Sequence, residues 1–330
     1  MKPEIPYLDW NSLKSKEKVV AICHSRPDGD AIGSLLGWQA LCQQHGIPSL
    51  AISPDPIPDY LAFLPGSRSI LVPTAQELQS AESPLVRADL VVLLDFSRRD
   101  RCGDDLSNAL LQLQCPIWCI DHHPEPESFD ALFHNPSASS TCEIIAGFIQ
   151  DDCPAIAATC LMAGLLTDTG RFQFSTSPNT FEVAAALLKT GLDYRGLTDR
   201  LFEQESLETL KLKGLILKDK LIQHPSLPLA WIEISFEESK SLGLKSGSTE
   251  GWVNFGLSIL GNKAAFLFHE KEEGITRISF RSKQGIVVNA FAEKYFQGGG
   301  HKYAAGGRFD NHSHEAVQFL LTKVAEIFPS

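Results

Sequence analysis

Residues 19–36 read VVAICHSRPDGDAIGSLL. The apolar run Val19–Cys23 is typical of a buried parallel strand, and Pro27 and Gly29 break it into a tight loop. Asp30 is suited to cap a helix that continues to about Gly46. The stretch therefore predicts a strand, a loop and a helix. A histidine and two carboxylates would then project at the carboxyl end of the strand, where open α/β sheets bind their ligands.

A plainer interpretation of the same residues remains open at this point. Asp30 would only cap the helix, and His24 would be an ordinary loop histidine. The two interpretations are about equally well supported by this stretch alone, so the rest of the chain has to decide between them.

Length and composition predict a soluble protein of two domains. The chain has 330 residues, of which 43% are hydrophobic and 21% charged. Its net charge of −11 disfavours binding of long nucleic acids, because that affinity comes from Lys and Arg on phosphates. A small anion could still bind in a local basic or metal-lined pocket.

The sequence also predicts a cytoplasmic location. The first six residues contain no apolar leader, and no apolar run reaches the length of a membrane span. All eight cysteines lie between Cys23 and Cys160, mostly inside apolar segments, and none forms a CxxC pair. We therefore expect buried free thiols rather than disulfides or a zinc site.

Strands and helices alternate through the first part of the chain, which predicts an α/β fold with a doubly wound parallel sheet. The clearest strand is ADLVVLLDF at 88–96, which carries Asp95 near its end. The other predicted strands are 49–53 and 116–120, and the predicted helices are 31–46, 104–113, 142–150, 155–166 and 179–189.

The pattern changes after a long helical stretch at 193–220. Short strands and helices follow, and a glycine-rich run at 298–307 is predicted as a loop. We expect a first domain at 1–192, a helical linker at 193–225 and a smaller α/β domain at 226–330. The predicted strands of the second domain are 229–235, 264–268 and 276–280, and its helices are 248–260, 288–296 and 314–327.

Polar residues collect at the ends of elements in the first domain. Neighbouring carboxylates repel, so one would take up a proton unless cations were present. A group of aspartate and histidine side chains without cysteine favours Mn²⁺, with Mg²⁺, Co²⁺ or Zn²⁺ as alternatives. The group found here has enough ligands for two ions. Each residue could instead be a helix cap or a chance neighbour, but that is improbable for the whole set: His24, Asp28, Asp30, Asp95, Asp121, His122, His123 and Asp168.

The motifs at these positions resemble those of the DHH phosphoesterase superfamily. They are HSRPDGD at 24–30, the strand end at Asp95, the triplet Asp121-His122-His123, and TDTG at 167–170. The run GGGHKYAAGG at 298–307 resembles the glycine-rich motif of the DHH-associated domain of nanoRNases and RecJ-type nucleases. Length and domain pairing are most similar to the bifunctional nanoRNase and pAp phosphatase group. Gln297 departs from the pattern, since many relatives have a further glycine there.

The resemblance implies two divalent metal ions and a set of residue roles. One ion would be bound by His24, Asp28 and Asp95. The other would be bound by Asp30, Asp95, His122 and Asp168, so that Asp95 bridges the two. His123 would contact the phosphate or donate a proton, and with Asp95 it forms the predicted catalytic pair. Asp121 would orient a histidine, although a purely structural role is equally compatible with the sequence.

The resemblance assigns substrate binding to the second domain, with the active site in the cleft between the domains. Glycines bring backbone N–H groups close to a phosphate, and a flexible turn is the alternative interpretation of the same run. Ser139, Ser140 and Thr141 are interpreted as helix caps. The predicted substrate-binding residues are Arg281, Ser282, Gly298, Gly299, Gly300 and His301.

The predicted function is that of a two-metal phosphohydrolase of short phosphorylated nucleotides. By resemblance its substrates are short RNA oligomers, linear dinucleotides and pAp, with no long duplex and no membrane as partner; a homodimer stays open. One alternative is a RecJ-like exonuclease on longer single strands, although no aromatic-rich basic module is evident. The other is a non-catalytic nucleotide sensor, although no proposed ligand position is lost.

Overall fold

Each half of the chain is built around its own β-sheet. The computed structural model describes residues 8–149, 153–244, 248–249 and 251–328. The chain divides into two compact units, Met1–Gln204 and Glu205–Ser330. Among the described residues, no helix combines the length and the apolar character that crossing a membrane would require.

The first unit contains a fully parallel sheet in the order β2-β1-β3-β4-β5. Its two central strands, β1 and β3, are apolar and completely buried, because helices cover both faces of the sheet. The predicted doubly wound α/β architecture is therefore confirmed. The strands are β1 (Val19–Cys23), β2 (Ser49–Ile52), β3 (Leu90–Leu94), β4 (Ile117–Asp121) and β5 (Ala131–His134).

The helices of this unit pack against opposite faces of the sheet. Ile32, Ile144 and Leu161 lie in one hydrophobic cluster, whereas Leu78 and Leu106 lie in the cluster on the other face. The helices are α1 (Trp10–Leu13), α2 (Gly29–Gln44), α3 (Ala75–Gln79), α4 (Asp104–Leu111), α5 (Thr141–Ala146), α6 (Ala155–Asp168), α7 (Pro178–Lys189) and α8 (Tyr194–Phe202).

The N-cap predicted for α2 was wrong. Asp28, not Asp30, caps the helix, and its Oδ1 accepts hydrogen bonds from the backbone N–H groups of Asp30 at 3.0 Å and Ala31 at 3.1 Å. The helix ends at Gln44, and Gly46 follows with a φ of 69°, as expected for a glycine after a helix. The carboxylate of Asp30 is thereby released for another contact.

The second unit contains a mixed sheet in the order β10-β11-β9-β8-β7-β6, so the predicted smaller α/β domain is confirmed. Only β7 and β8 pair in parallel among its described strands. The elements are α9 (Leu207–Lys220), β6 (Leu221–Gln223), β7 (Leu229–Ile234), α10 (Phe236–Ser241), α11 (Asn254–Ser258), β8 (Ala264–Glu272), β9 (Ile275–Ser282), α12 (Asn289–Tyr295), β10 (Gly299–His301), β11 (Ala304–Phe309) and α13 (Ser313–Lys323).

The glycine-rich run is not a loop, because it forms the antiparallel hairpin of β10 and β11 at one edge of this sheet. The stretch 193–220 contains two helices, α8 and α9, and the second starts anew with Ser206 as N-cap. Strand β6 then pairs with β7, so the predicted linker contributes to the second sheet.

Two predicted helices extend beyond what the structure describes. Residue 150 of the helix predicted at 142–150 lies outside the described residues. The same holds for residue 250 of the helix predicted at 248–260, of which the structure shows only α11.

Candidate active site

The loop after β1 is fixed by backbone contacts on both sides of His24. The backbone N–H of Ser25 donates to the carbonyl of Arg101 at 2.8 Å. The backbone N–H of Arg26 donates to Asp55 Oδ2 at 2.6 Å, with Arg26 at a φ of 54°. Two neighbouring segments therefore hold the turn that presents His24.

The Nε2 atom of His24 faces two carboxylates. Its Nδ1 donates to the carbonyl of Ser25 at 2.9 Å, so in the neutral ring Nε2 carries no proton. That Nε2 lies 3.4 Å from Asp95 Oδ2 and 3.9 Å from Asp28 Oδ1. Two groups that both accept hydrogen bonds thus face one another, as the ligands of a cation do.

Asp95 lies at the centre of the site, directly after β3. Its side chain is buried, and its backbone φ of 68° is strained for a residue other than glycine. Oδ2 faces His24, whereas Oδ1 lies 3.6 Å from His122 Nε2. Thr141 Oγ1 donates to Oδ1 at 2.9 Å. The two oxygens of one carboxylate therefore face two different histidines.

The pKa of Asp95 is raised well above its usual value. Burial is the largest cause, and the negative charges of Asp30, Asp28, Asp121 and Asp168 add to it. Burial and the neighbouring carboxylates therefore favour the protonated form of this carboxyl group, whereas a divalent cation would favour the ionised form.

His122 is the second histidine at the centre of the site. Its Nδ1 donates to the carbonyl of Ala138 at 3.3 Å, which leaves Nε2 as an acceptor in the neutral ring. Nε2 lies 3.6 Å from Asp95, 3.7 Å from Asp168 and 3.8 Å from Asp30. Asp168 is the last residue of α6, and Asp30 is in the first turn of α2.

Asp121 and His123 form a close pair next to this centre. Asp121 is buried, and its Oδ1 accepts a hydrogen bond of 2.8 Å from His123 Nδ1. Burial alone would raise the pKa of Asp121, but the hydrogen bond and charge of His123 lower it below its usual value. His123 Nδ1 also lies 3.7 Å from Asp95 Oδ1. The structure thus places Asp121 where it can orient His123.

The predicted metal ligands fall into two sets whose donor atoms lie within 4.8 Å of one another. Each set combines carboxylates with imidazole nitrogens that act as acceptors, and this donor chemistry fits a borderline divalent cation. The residues present therefore fit the metal ions that the sequence predicts. The two sets are His24, Asp28 and Asp95, and Asp30, His122 and Asp168. Asp95, Asp121 and His123 form a further close group, in which His123 Nδ1 donates to Asp121.

The segment before and at the start of α5 supports three of these residues. The backbone N–H groups of Thr141 and Cys142 donate to Asp30 Oδ2 at 2.7 Å and Oδ1 at 2.9 Å. The Thr141 hydroxyl binds Asp95, and the carbonyl of Ala138 binds His122. Thr141 was interpreted as a cap from the sequence, but Ser140 is the residue that caps α5.

A buried glutamate, Glu143, holds this segment in place. Its Oε2 accepts hydrogen bonds from the backbone N–H of Ser139 at 3.1 Å, the Ser139 hydroxyl at 2.5 Å and the Thr180 hydroxyl at 2.8 Å. Its Oε1 accepts one from Asn179 Nδ2 at 2.7 Å. Glu143 therefore ties α5 to the first turn of α7. Sequence analysis missed it, although an acidic residue three positions after Ser140 is a signal of helix capping.

The predicted substrate-binding residues of the second unit do not all project the same way. Arg281 is partly exposed on β9, whereas Ser282 is buried, and its hydroxyl donates to the carbonyl of Ile286 at 2.6 Å. A side chain at Gly298 would meet the carbonyl oxygen of Gly306 at 2.1 Å. The hairpin thus requires glycine at 298 for packing.

Gly300 adopts a φ of 133°, a conformation that favours glycine. Gly299 and His301 are the first and last residues of β10, so both belong to the edge strand of the sheet.

Comparison with known proteins agrees with both halves of this architecture. Residues 18–165 match the DHH family, N-terminal domain, and residues 236–329 match the DHHA1 domain. A similar protein is the bifunctional oligoribonuclease and PAP phosphatase NrnA of Bacillus subtilis, 28% identical, with 86% of each chain covered. The protein of that name from Thermus thermophilus is 30% identical, with 89% of this chain and 85% of that protein covered.

Among solved structures, an exopolyphosphatase-related protein from Bacteroides fragilis is similar, with a TM-score of 0.89 at 29% identity. The alignment covers 96% of this chain and 94% of that one. The motifs, the sheet order and these similarities over most of the length all indicate the same family. The chain therefore belongs to the DHH family of phosphoesterases and carries a DHHA1 domain in its C-terminal part.

Proposed function

We propose that this protein is a two-metal phosphohydrolase of short phosphorylated nucleotides. It would cleave short RNA oligomers and linear dinucleotides to mononucleotides and dephosphorylate pAp to AMP. The observation that carries the proposal is the position of Asp95, whose two oxygens face the Nε2 atoms of His24 and His122. Relatives named as oligoribonuclease and PAP phosphatase support the choice of substrates.

The proposed metal ligands are divided between two ions. His24, Asp28 and Asp95 would hold one, and Asp30, His122 and Asp168 would hold the other together with Asp95. When bound in such a site, divalent ions polarise the phosphoryl group and lower the pKa of water. We propose Mn²⁺ because the ligands mix imidazole with carboxylate and include no thiolate, with Mg²⁺, Co²⁺ and Zn²⁺ as alternatives.

The remaining polar residues would act on the substrate itself. His123, oriented by Asp121, would bind a phosphate oxygen or hold the proton that the leaving oxygen requires. Arg281, His301 and the glycines 298–300 are proposed to bind parts of the substrate remote from the reacting phosphorus. Ser282 would support the substrate site through its position rather than by direct contact, because its hydroxyl donates to Ile286 and its backbone N–H donates to Tyr303.

We further propose a cytoplasmic enzyme. All eight cysteines are free, and burial raises the pKa of the Cys160 thiol to about 12, which fits a reducing compartment. Long duplexes and membranes are not among the proposed partners. Sedimentation of the purified protein would distinguish a monomer from a homodimer.

The test measures hydrolysis of an RNA dinucleotide, pAp and a single strand of about 24 nucleotides, against added Mn²⁺. We expect higher kcat/KM on the short substrates, since the net charge of −11 weakens binding of a long backbone. Equal or higher kcat/KM on the long strand would favour a RecJ-like exonuclease. Binding of all three without hydrolysis would favour a nucleotide sensor.

The variant Asp95→Ala tests the proposed metal site. Because Asp95 would serve both ions, its loss should lower turnover by several orders of magnitude at saturating Mn²⁺. Retention of a tenth of the wild-type rate would contradict the bridging role.

A further inference from the structure

One face of the second sheet carries arginines in a regular arrangement. Along β9, Arg277, Ser279 and Arg281 are exposed or partly exposed, and they alternate with buried residues such as Ile278 and Phe280. Alternate residues of a strand point to the same face of the sheet. The three therefore project together, away from the hydrophobic core of this unit.

Strand β11 extends this face sideways. Ser279 pairs with Gly306, and Arg277 pairs with Arg308, so each pair lies side by side across the two strands. Gly306 is exposed, and a side chain added there would meet no atom within 4 Å. We call Arg277, Ser279, Arg281, Gly306 and Arg308 the arginine face, and Arg277 with Arg308 the distal pair.

The neighbouring strand closes one side of the arginine face. On β8, Ala265 and Leu267 belong to a hydrophobic cluster with Trp252, Val253 and Leu257, so helical segments cover that part of the sheet. The face is therefore uncovered at β9 and β11 and covered at β8. On the uncovered part, Ser279 and Gly306 lie between Arg281 and the distal pair.

The charge of the distal pair needs an explanation. Two like charges directly opposite on neighbouring strands destabilise a sheet, and the chain as a whole has a net charge of −11. Asp310 offsets part of the charge, because its Oδ1 accepts a hydrogen bond from Arg308 Nε at 2.5 Å. That ion pair is exposed and contributes little stability, and it leaves the Nη edge of Arg308 for another anion.

We propose that the distal pair binds a backbone phosphate of oligoribonucleotide substrates, beyond the phosphate that Arg281 binds. The inference rests on the proposed function and adds a basis for substrate length. Arginine suits this role because its fork matches phosphate oxygens in pairs. Arg281 lies four positions from Arg277 along β9, a span of roughly 13 Å.

The span decides which substrates reach the distal pair. A dinucleotide or pAp held at Arg281 is too short to place another phosphate there, whereas a tetra- or pentanucleotide can follow the Ser279 and Gly306 row. The distal pair would therefore favour the longer members of the short-RNA class and leave pAp and dinucleotides unaffected.

The kinetic test compares an Arg277→Ala/Arg308→Ala variant with wild type on a pentanucleotide and a dinucleotide. We expect KM for the pentanucleotide to rise about tenfold more than KM for the dinucleotide, because both arginine contacts to the distal phosphate are lost. Lys218→Ala is the control, since it removes a positive charge from α9, which contacts β6 and β7 at the opposite edge of the sheet. Equal changes on both substrates, or a change no larger than in the control, would overturn the proposal.

A measurement of RNA binding tests the role of the distal pair independently of the proposed hydrolysis. Anisotropy of a labelled pentanucleotide in EDTA, with the RNA checked for integrity, should give a salt slope smaller by ~0.7 for the double variant, because one phosphate contact is lost. Asp310→Asn should act in the opposite direction and tighten pentanucleotide binding. An unchanged slope, or weaker binding by Asp310→Asn, would contradict the distal pair even if hydrolysis is as proposed. A wild-type protein that binds with the expected slope but hydrolyses no RNA would contradict only the proposed function.

Discussion

The hydroxyl of Thr141 donates a hydrogen bond of 2.9 Å to Oδ1 of Asp95, and both residues are buried. The same Oδ1 lies 3.6 Å from His122 Nε2. The hydroxyl therefore fixes the orientation in which Asp95 offers one oxygen to each histidine. Loss of a group that orients a metal ligand typically lowers metal affinity or activity by about 10- to 100-fold.

Thr141→Val should accordingly weaken Mn²⁺ binding or lower activity by about 10- to 100-fold, because the shape is kept while the hydrogen bond is lost. Isothermal titration with Mn²⁺ and the turnover of an RNA dinucleotide would measure the two effects. Thr141→Ser keeps the hydroxyl and should resemble wild type. Identical Mn²⁺ affinity in the two variants would show that the hydroxyl has no positioning role.

Glu143→Ala should reduce both stability and Mn²⁺ affinity. It removes the acceptor of four hydrogen bonds, and donors left unsatisfied in a buried site cost about 1–3 kcal/mol each. Glu143→Gln should restore much of both losses, since an amide oxygen can take the place of Oε2. Thermal unfolding and Mn²⁺ titration are the measurements.

A control for Glu143 is Thr74→Ala, which removes the N-cap of α3, a helix that carries none of the proposed metal ligands. It should lower stability by about 1 kcal/mol without changing Mn²⁺ affinity. If Glu143→Ala likewise changed only stability, Glu143 would have no role in placing the metal ligands.

His123 and His301 should differ in the kinetic parameter that they control. His123→Ala should lower kcat with little change in KM, the signature of a contact made mainly in the transition state. His301→Ala should raise KM for a dinucleotide by about ten- to a hundredfold, for a lost charge-assisted hydrogen bond of about 1.5–3 kcal/mol.

A small chromogenic phosphodiester checks the assignment of His301. It lacks the remote part of the substrate, so His301→Ala should affect it much less than the dinucleotide. Equal defects on the two substrates would rule out a role of His301 in binding the remote part. If binding at His301 also drives a closure of the protein, kcat would fall as well, so the ratio of the two defects is the decisive quantity.

His269 should make stability depend on pH. Burial, followed by the charge of Lys271, lowers the pKa of His269 from 6.5 to about 4. Its ring nitrogens lie 2.8 Å from the Ser239 hydroxyl and 3.3 Å from the Thr249 hydroxyl. In the pH range between these two values the unfolded chain binds a proton that the folded protein does not bind. The free energy of unfolding should therefore fall as the pH is lowered from about 6.5 to about 4.

The measurement is urea unfolding across this pH range in wild type and in His269→Gln, which can still bond the two hydroxyls. The difference between the two proteins isolates His269 from other titrating groups. A difference that does not vary with pH would contradict the lowered pKa.

The sequence by itself determined the fold class and the set of residues at the site. Apolar runs such as Val19–Cys23 and Leu90–Leu94 are typical of buried strands, and each is followed at once by a polar residue, His24 or Asp95. Parallel strands place their carboxyl ends at one edge, so local pattern alone brings these side chains to a common place. The order of the motifs then indicated the family.

Only the tertiary structure decided how those residues are held. The local sequence predicts Asp30 as a helix cap, yet its carboxylate accepts hydrogen bonds from Thr141 and Cys142, more than a hundred positions away. Glu143 likewise acts through the first turn of α7, which no local pattern reveals. Glycine has a low strand propensity, so the glycine-rich run does not look like a strand in the sequence. It nevertheless forms a strand pair, because its pairing with β9 overrides that preference. Contacts between segments distant in sequence are fixed by packing, and packing is a property of the folded chain rather than of any short stretch of it.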